Sequence, residues 1–149
     1  MPTLDFSLRP ATAQDSAAIR ALIRRVRINP SNLDWRHFLV AVDAAGRLVG
    51  CGQLKPHGRE IIELASIAVE DECRGHGVAR VVIDRLVAEA PRPLYLTCRS
   101  SLGRLYAKWG FRELAVPEMP AYFRRLARVM SLLMGAIGAG ERLLVMVLK

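Results

Sequence analysis

"CRGHGVARVVIDRL", residues 73–86, decides how the chain is read. Glycines stand on both sides of His76, arginines stand at 74 and 80, and the stretch runs directly into an apolar-periodic segment. Glycine loses more backbone freedom on folding than any other residue, so a helix that begins on glycines must gain something there. The first N–H groups of a helix lack internal partners, and the helix dipole puts partial positive charge at that end. Glycines let the backbone come close to an oxygen-rich ligand and arginines balance its charge, so the turn reads as an anion site. A nucleotide P-loop is excluded, because it needs GxxxxGK[ST] and no such lysine is present. A dinucleotide fold is excluded too. Arg80 holds the third glycine position of GxGxxG, and the turn lies in mid-chain instead of after the first strand of a βαβ unit.

Working outward from this turn, the stretch before it, Ile61 to Val69, reads as a strand. Two shorter strands precede it, His37 to Val42 and Arg47 to Leu54, separated by the turns Asp43–Gly46 and Lys55–Gly58. Strands joined in succession by short turns argue for an antiparallel meander. Residues 5–9 read as an opening strand, followed by a helix whose Ile19, Leu22, Ile23 and Val26 keep helical spacing. After the turn, Val78, Val81, Val82 and Leu86 give the next helix an apolar face, and Pro91 and Pro93 end it before a strand at Leu94–Cys98. Ser100 or Ser101 is placed to cap a helix carrying Leu102, Leu105, Tyr106 and Trp109, with Gly110 as its stop. A short strand at Phe111–Leu114 follows, and Arg142 to Leu148 reads as the last strand. Between them lies a helix with Phe123, Leu126, Ala127, Met130, Leu133, Met134 and Ile137 on one face, ended by Gly138 and Gly140.

Composition agrees with one globular domain spanning residues 1–149: 52% of residues are hydrophobic and 24% charged, far from the low-hydrophobicity signature of disorder. The opening MPTLDFSLRP has no basic segment followed by an apolar run, so no signal peptide is expected. The longest apolar tract, Val129 to Ala139, is about half the ~20 residues of a membrane span. Cys51, Cys73 and Cys98 lie far apart without a CxxC pair, so neither a disulfide framework nor a zinc site is signalled. A reducing cytoplasmic setting and no metal are the expectations. The net charge of +8 suggests an anionic partner, but the arginines are scattered and aromatics are only 6%, which disfavours a nucleic-acid interface.

Arg74-Gly75-His76-Gly77-Val78-Ala79 is an R-x-x-G-x-A sequence directly after the strand "ELASIAV", and "LYAKWGF", residues 105–111, carries a Tyr-x-x-x-Gly-Phe element. With "LRPATAQD" near the start, these stretches resemble the GNAT superfamily of acetyl-CoA-dependent N-acetyltransferases over nearly the whole chain. The resemblance implies an α+β fold with a mixed, largely antiparallel sheet flanked by helices, here with a helical insertion before the last strand. It implies acetyl-CoA as cosubstrate, its pyrophosphate held by the backbone of Gly75, His76, Gly77, Val78 and Ala79 with Arg74 and Arg80 at the edges. The strand edge at Ile67, Ala68 and Val69 would pair with the pantetheine arm and offer an N–H to the thioester oxygen. Tyr106 stands where the family places its general acid, although the apolar stripe with Leu102 and Trp109 gives it a packing role too. Glu63 stands where several members carry a glutamate that takes the amine's proton through water; the alternative is a rim carboxylate paired with an arginine such as Arg59. Alternation puts Glu63, Ala65, Ile67 and Val69 on one face unless a bulge intervenes. His76 is read as a loop residue, His37 and His57 as structural, and Cys98 as a small buried hydrophobe. Arg99 departs from the family, which often has asparagine there.

The expected partners are acetyl-CoA and an amine acceptor, small molecule or peptide, with no nucleic acid, no membrane span, and a homodimer left open. The insertion from Glu118 to Gly140 places Arg124, Arg125 and Arg128 on one polar face. It reads as a solvated basic surface, as a lid over an anionic acceptor, or as an amphipathic helix touching anionic lipid. The rival to an enzyme is a non-catalytic acyl-CoA-binding module that keeps the turn.

Overall fold

β4, Ile61–Val69, has the bounds expected from its apolar run and flanking turns in this computed structural model, which describes residues 3–137 and 140–149. Among the described residues seven strands hydrogen-bond in the order β1-β2-β3-β4-β5-β7-β6. They are β1 (Phe6–Pro10), β2 (Phe38–Asp43), β3 (Leu48–His57), β4, β5 (Leu94–Arg99), β6 (Arg112–Glu113) and β7 (Leu143–Leu148). β4 and β5 run parallel, while β1–β2, β2–β3, β5–β7 and β6–β7 are antiparallel. The helices are α1 (Ser16–Arg25), α2 (Val78–Glu89), α3 (Gly103–Ala107) and α4 (Ala121–Ile137). The α+β class and the mixed, mostly antiparallel sheet are therefore as expected. Among the described residues no helix is long and apolar enough to cross a membrane.

The chain forms two compact units, the first of Met1–Lys55 and Leu64–Ala90, the second of Pro56–Glu63 and Pro91–Lys149. In the first, Ile19, Leu22 and Ile23 of α1 are almost fully buried against Phe38, Val40, Cys51 and Ala68, with Val26 packed at the margin. α2 buries Val78, Val82, Ile83 and Leu86, whereas Val81 is exposed. At about 100° per residue those buried positions span one arc and Val81 falls outside it, so Ile83 takes the place expected for Val81. β3 runs on through Pro56 to His57, past the expected turn at Lys55.

In the second unit, Phe123 of α4 is fully buried among Leu114, Met119, Val145 and Val147, with Ile61, Tyr95, Leu126 and Ala127 packed against them. The apolar stripe expected along α4 is thus covered over its first turns, but Leu133 is exposed together with Val129 and Leu132. The side chains of Met134 and Ile137 and the stop at Gly138 lie outside the described part of the structure. The helix around Tyr106 is shorter than expected. A 3-10 turn at Ser100–Leu102 leads into α3, neither serine caps it, and Leu102 and Leu105 are exposed. The Ser100 hydroxyl is taken by the β7 side instead, accepting from the Arg142 backbone N–H at 3.2 Å.

Candidate active site

The glycine turn has the geometry its composition calls for. Gly75 and Gly77 both adopt left-handed backbone, φ 82° and 81°, which side-chain-bearing residues adopt only at a cost. Gly77 is the N-cap of α2, and the first bond of that helix runs from Val81 N–H to the Gly77 carbonyl at 3.1 Å. The amides of Val78, Ala79 and Arg80 precede that ladder and belong to the donors a helix leaves unpaired. Val78 is buried and anchors the helix start, while Arg74, Gly75, His76, Gly77 and Arg80 are exposed. Arg74 pairs with Asp71 at 3.2 Å, both side chains open to solvent, a contact weak enough to give way to a phosphate. These groups can bind an anion.

On β4, Ala68 is buried, and Ile67 and Val69 are partly so. Ser66 has φ 59°, a left-handed residue in mid-strand. It breaks the alternation expected from Glu63 to Val69. The interruption is held from β3, where Gln53 Nε2 donates to Ser66 Oγ at 2.7 Å and the Cys51 thiol to the Ser66 carbonyl at 3.6 Å. Parallel pairing with β5 is given by Ile62↔Leu94 and Glu63↔Tyr95.

Glu63 lies in the second unit, 7% exposed, with both carboxylate oxygens engaged. Oε1 is 2.6 Å from His57 Nε2, and Oε2 accepts from the Thr97 hydroxyl at 3.2 Å. His57 in turn stacks on Tyr122 of α4, ring centroids 4.0 Å apart and 24° from parallel, with the Phe123 ring edge-on. Burial first, and then the Glu63 charge, push the Tyr122 phenol up, so it stays neutral. The partner of Glu63 is His57 and not Arg59, which is exposed in the loop after β3. Spacing along the chain gave His57 no partner; the cross-strand position beside a buried glutamate was the signal that could have found it.

Tyr106 is partly buried on α3, with Trp109 and Phe111 rings 6.1 and 6.3 Å away. Burial, then the neighbouring Cys98, raise its phenol above the ordinary value, so it keeps its proton through the neutral range. Adjacent residues of β5 mark the two surroundings: Thr97 reaches Glu63, while Cys98 influences Tyr106. Cys98 is buried and its thiol pushed up to about 11, chiefly by burial, which leaves it a packing residue. His76 is exposed in the glycine turn, and His37 sits 3.8 Å from Asp34. Arg99 is exposed at the end of β5. Arg124, Arg125 and Arg128 are exposed on α4. Among the described residues no cluster of histidine, cysteine and carboxylate side chains is suited to a metal ion.

Residues 34–113 match the family described as acetyltransferase (GNAT) domain. An amino-acid acetyltransferase of Mycobacterium tuberculosis is 31% identical over 92 residues, 58% of this chain and 51% of the relative. The structure of N-acetylglutamate synthase from Neisseria gonorrhoeae, complexed with coenzyme A and N-acetyl-glutamate, superposes with a TM-score of 0.72 at 22% identity, covering 97% of this chain and 35% of that one. A Mycobacterium tuberculosis protein solved in complex with CoA gives a TM-score of 0.70 at 23% identity over 96% of this chain and 99% of its own. The two structural likenesses show the fold. The chain spans about half the length of the amino-acid acetyltransferase and about a third of the gonococcal synthase.

Proposed function

Since the chain belongs to the acetyltransferase (GNAT) domain family, we propose that residues 1–149 act as one N-acetyltransferase domain that moves an acetyl group from acetyl-CoA directly to a primary amine. The observation that carries this is the left-handed Gly75 and Gly77 at the start of α2, one 3-10 turn (Asp71–Cys73) after β4. Their arrangement suits a pyrophosphate: the first amides of a helix, outside its own ladder, next to the exposed Arg74 and Arg80. The backbone of Ile67, Ala68 and Val69 would take the pantetheine arm. An N–H there would hold the thioester oxygen as it gains negative charge. Tyr106, kept protonated by burial, would give its proton to the departing thiolate, and Glu63 would serve the incoming amine. For the acceptor, the name of the 31% identical relative favours a free α-amino acid.

A turnover screen tests the reading: thiol release from acetyl-CoA with free amino acids, polyamines, aminoglycosides and peptide N-termini as acceptors. The expected result is release with at least one amino acid. Tight acetyl-CoA binding with no thiol release for any amine would turn the chain into an acyl-CoA-binding module, and no binding at all would sink both readings.

A further inference from the structure

Glu63 does not stand alone, and its surroundings say more about the amine's proton than a single carboxylate does. A carboxylate accepts hydrogen bonds and donates none. At 2.6 Å from Glu63 Oε1, His57 Nε2 is therefore the donor. That assigns the ring's proton: in the neutral imidazole Nε2 carries it, and Nδ1 keeps its lone pair. The other oxygen of Glu63 is already bonded to Thr97. The ring plane is fixed by the stack on Tyr122, and the His57 and Glu63 side chains keep 10% and 9% of their surface open. The groups against the ring that can titrate are Glu63 from β4 and Tyr122 from α4; Phe123 adds an uncharged edge, and β5 adds the neutral Thr97 through Glu63.

Resting on the N-acetyltransferase reading, we propose that His57 is the proton acceptor for the amine and that Glu63 is the residue that orients it. The electron bookkeeping is complete without a further reagent. The acceptor's ammonium gives one proton to His57 Nδ1, directly or through one water, and the imidazolium is held by the Glu63 carboxylate. The freed lone pair attacks the thioester carbon; a C–N bond forms and the C–S bond breaks. The thiolate takes the Tyr106 proton, and the second proton shed by nitrogen restores the tyrosine. His57 returns its proton to solvent. An imidazole in this arrangement can take the proton at Nδ1 while Nε2 stays bonded to Glu63, and the carboxylate offsets the charge it gains. The stack also gives α4 a part in the reaction, since Tyr122 on that helix fixes the plane of the accepting ring.

The test uses the whole chain with acetyl-CoA and the amino acid that gives the fastest thiol release. His57→Gln retains a donor for Glu63 and loses the accepting nitrogen. It is expected to lower kcat by about 10²-fold or more and to shift the acid limb of kcat/KM, with acetyl-CoA affinity within about two-fold. In the wild-type protein, ¹⁵N shifts of His57 should report Nε2 protonated and Nδ1 accepting, with a midpoint matching that acid limb. This readout stands even where His57→Gln fails to fold. A His57→Gln rate and pH profile equal to wild type overturns the proposal, as does a ring that is protonated at Nδ1 or has a midpoint away from the kinetic one. Either result leaves the N-acetyltransferase reading standing. A wild-type protein that turns over no amine removes both.

Discussion

Gly50→Ala probes how firmly the glycine turn depends on the strand beneath α2. Gly50 lies on β3, and a methyl built on it meets Val78 Cγ1 at 2.7 Å, the Ala68 carbonyl oxygen at 3.2 Å and Val69 Cγ2 at 3.6 Å. Carbon atoms pack at about 3.5–4.0 Å, so Val78 has to move by roughly 1 Å. A β-branched residue in a helix has one strongly preferred rotamer, so the side chain cannot simply swing away. The first turn of α2 must shift instead. Overpacking of this kind costs about 1–3 kcal/mol. Restricting the unfolded chain returns about 0.4–1 kcal/mol, so the middle of these ranges leaves a net loss of about 1.3 kcal/mol. In a chain of 149 residues that lowers Tm by about 3–5 °C. Because Val78 follows Gly77 directly, the displaced amides should also weaken acetyl-CoA binding, by about ten-fold if the misfit costs about 1.4 kcal/mol. Thermal unfolding by circular dichroism and calorimetric titration measure the two effects. Gly46→Ala is the control: φ is 83° with nothing within 4 Å, so stability falls while affinity stays. A Gly50→Ala protein with raised Tm would refute the packing argument, and a lowered Tm with unchanged affinity would refute the link to the turn.

Tyr106→Phe keeps the ring beside Trp109 and Phe111 and removes only the proton donor, so turnover should fall by about 10²–10⁴-fold with Tm nearly unchanged; early melting with full specific activity would make Tyr106 a packing residue. The Asp15 carboxyl is held down at about 2 from 3.8, first by the Arg9 guanidinium and also by the Thr12 N–H. Being more acidic in the folded state, it stabilises fully above the unfolded value, and that contribution is lost as pH falls through 2. Arg9 is 41% exposed, so solvent screening leaves about 1 kcal/mol. Asp15→Asn should therefore be less stable than wild type at pH 7 and converge with it near pH 2 in urea titrations; a gap independent of pH would refute the pairing. Cys51, Cys73 and Cys98 are all buried, and burial pushes the Cys51 thiol up to about 12. None should react with a disulfide reagent at pH 8 until the protein unfolds, and one fast-reacting thiol in the native protein would contradict the burial.

Where local signals and tertiary contacts agree, the elements were legible in the sequence: β4 between its turns, α1 from its spacing, α2 from the glycine before Val78. Where one contact from elsewhere decides, they were not. Ser100 reads as a helix cap, but the Arg142 N–H, just before β7, bonds its hydroxyl, and the helix after it spans only Gly103–Ala107. "KPHG" reads as a turn because it contains proline and glycine, yet β3 continues through Pro56 and brings His57 into the sheet. His57 was nonetheless within reach of argument. A glutamate on a strand that is otherwise apolar needs a partner if it is buried, since an unpaired buried charge is too costly to persist. Residues 58–60 form the loop between β3 and β4, so His57 ends one strand, Glu63 lies two residues past the start of the next, and their side chains meet. Arg59 lies inside that loop, where its stem starts outside the ladder. The same geometry explains why the pair is nearly buried: a cross-strand contact sits on a sheet face, here beneath Tyr122 and Phe123 of α4, and a loop arginine would have stayed in water.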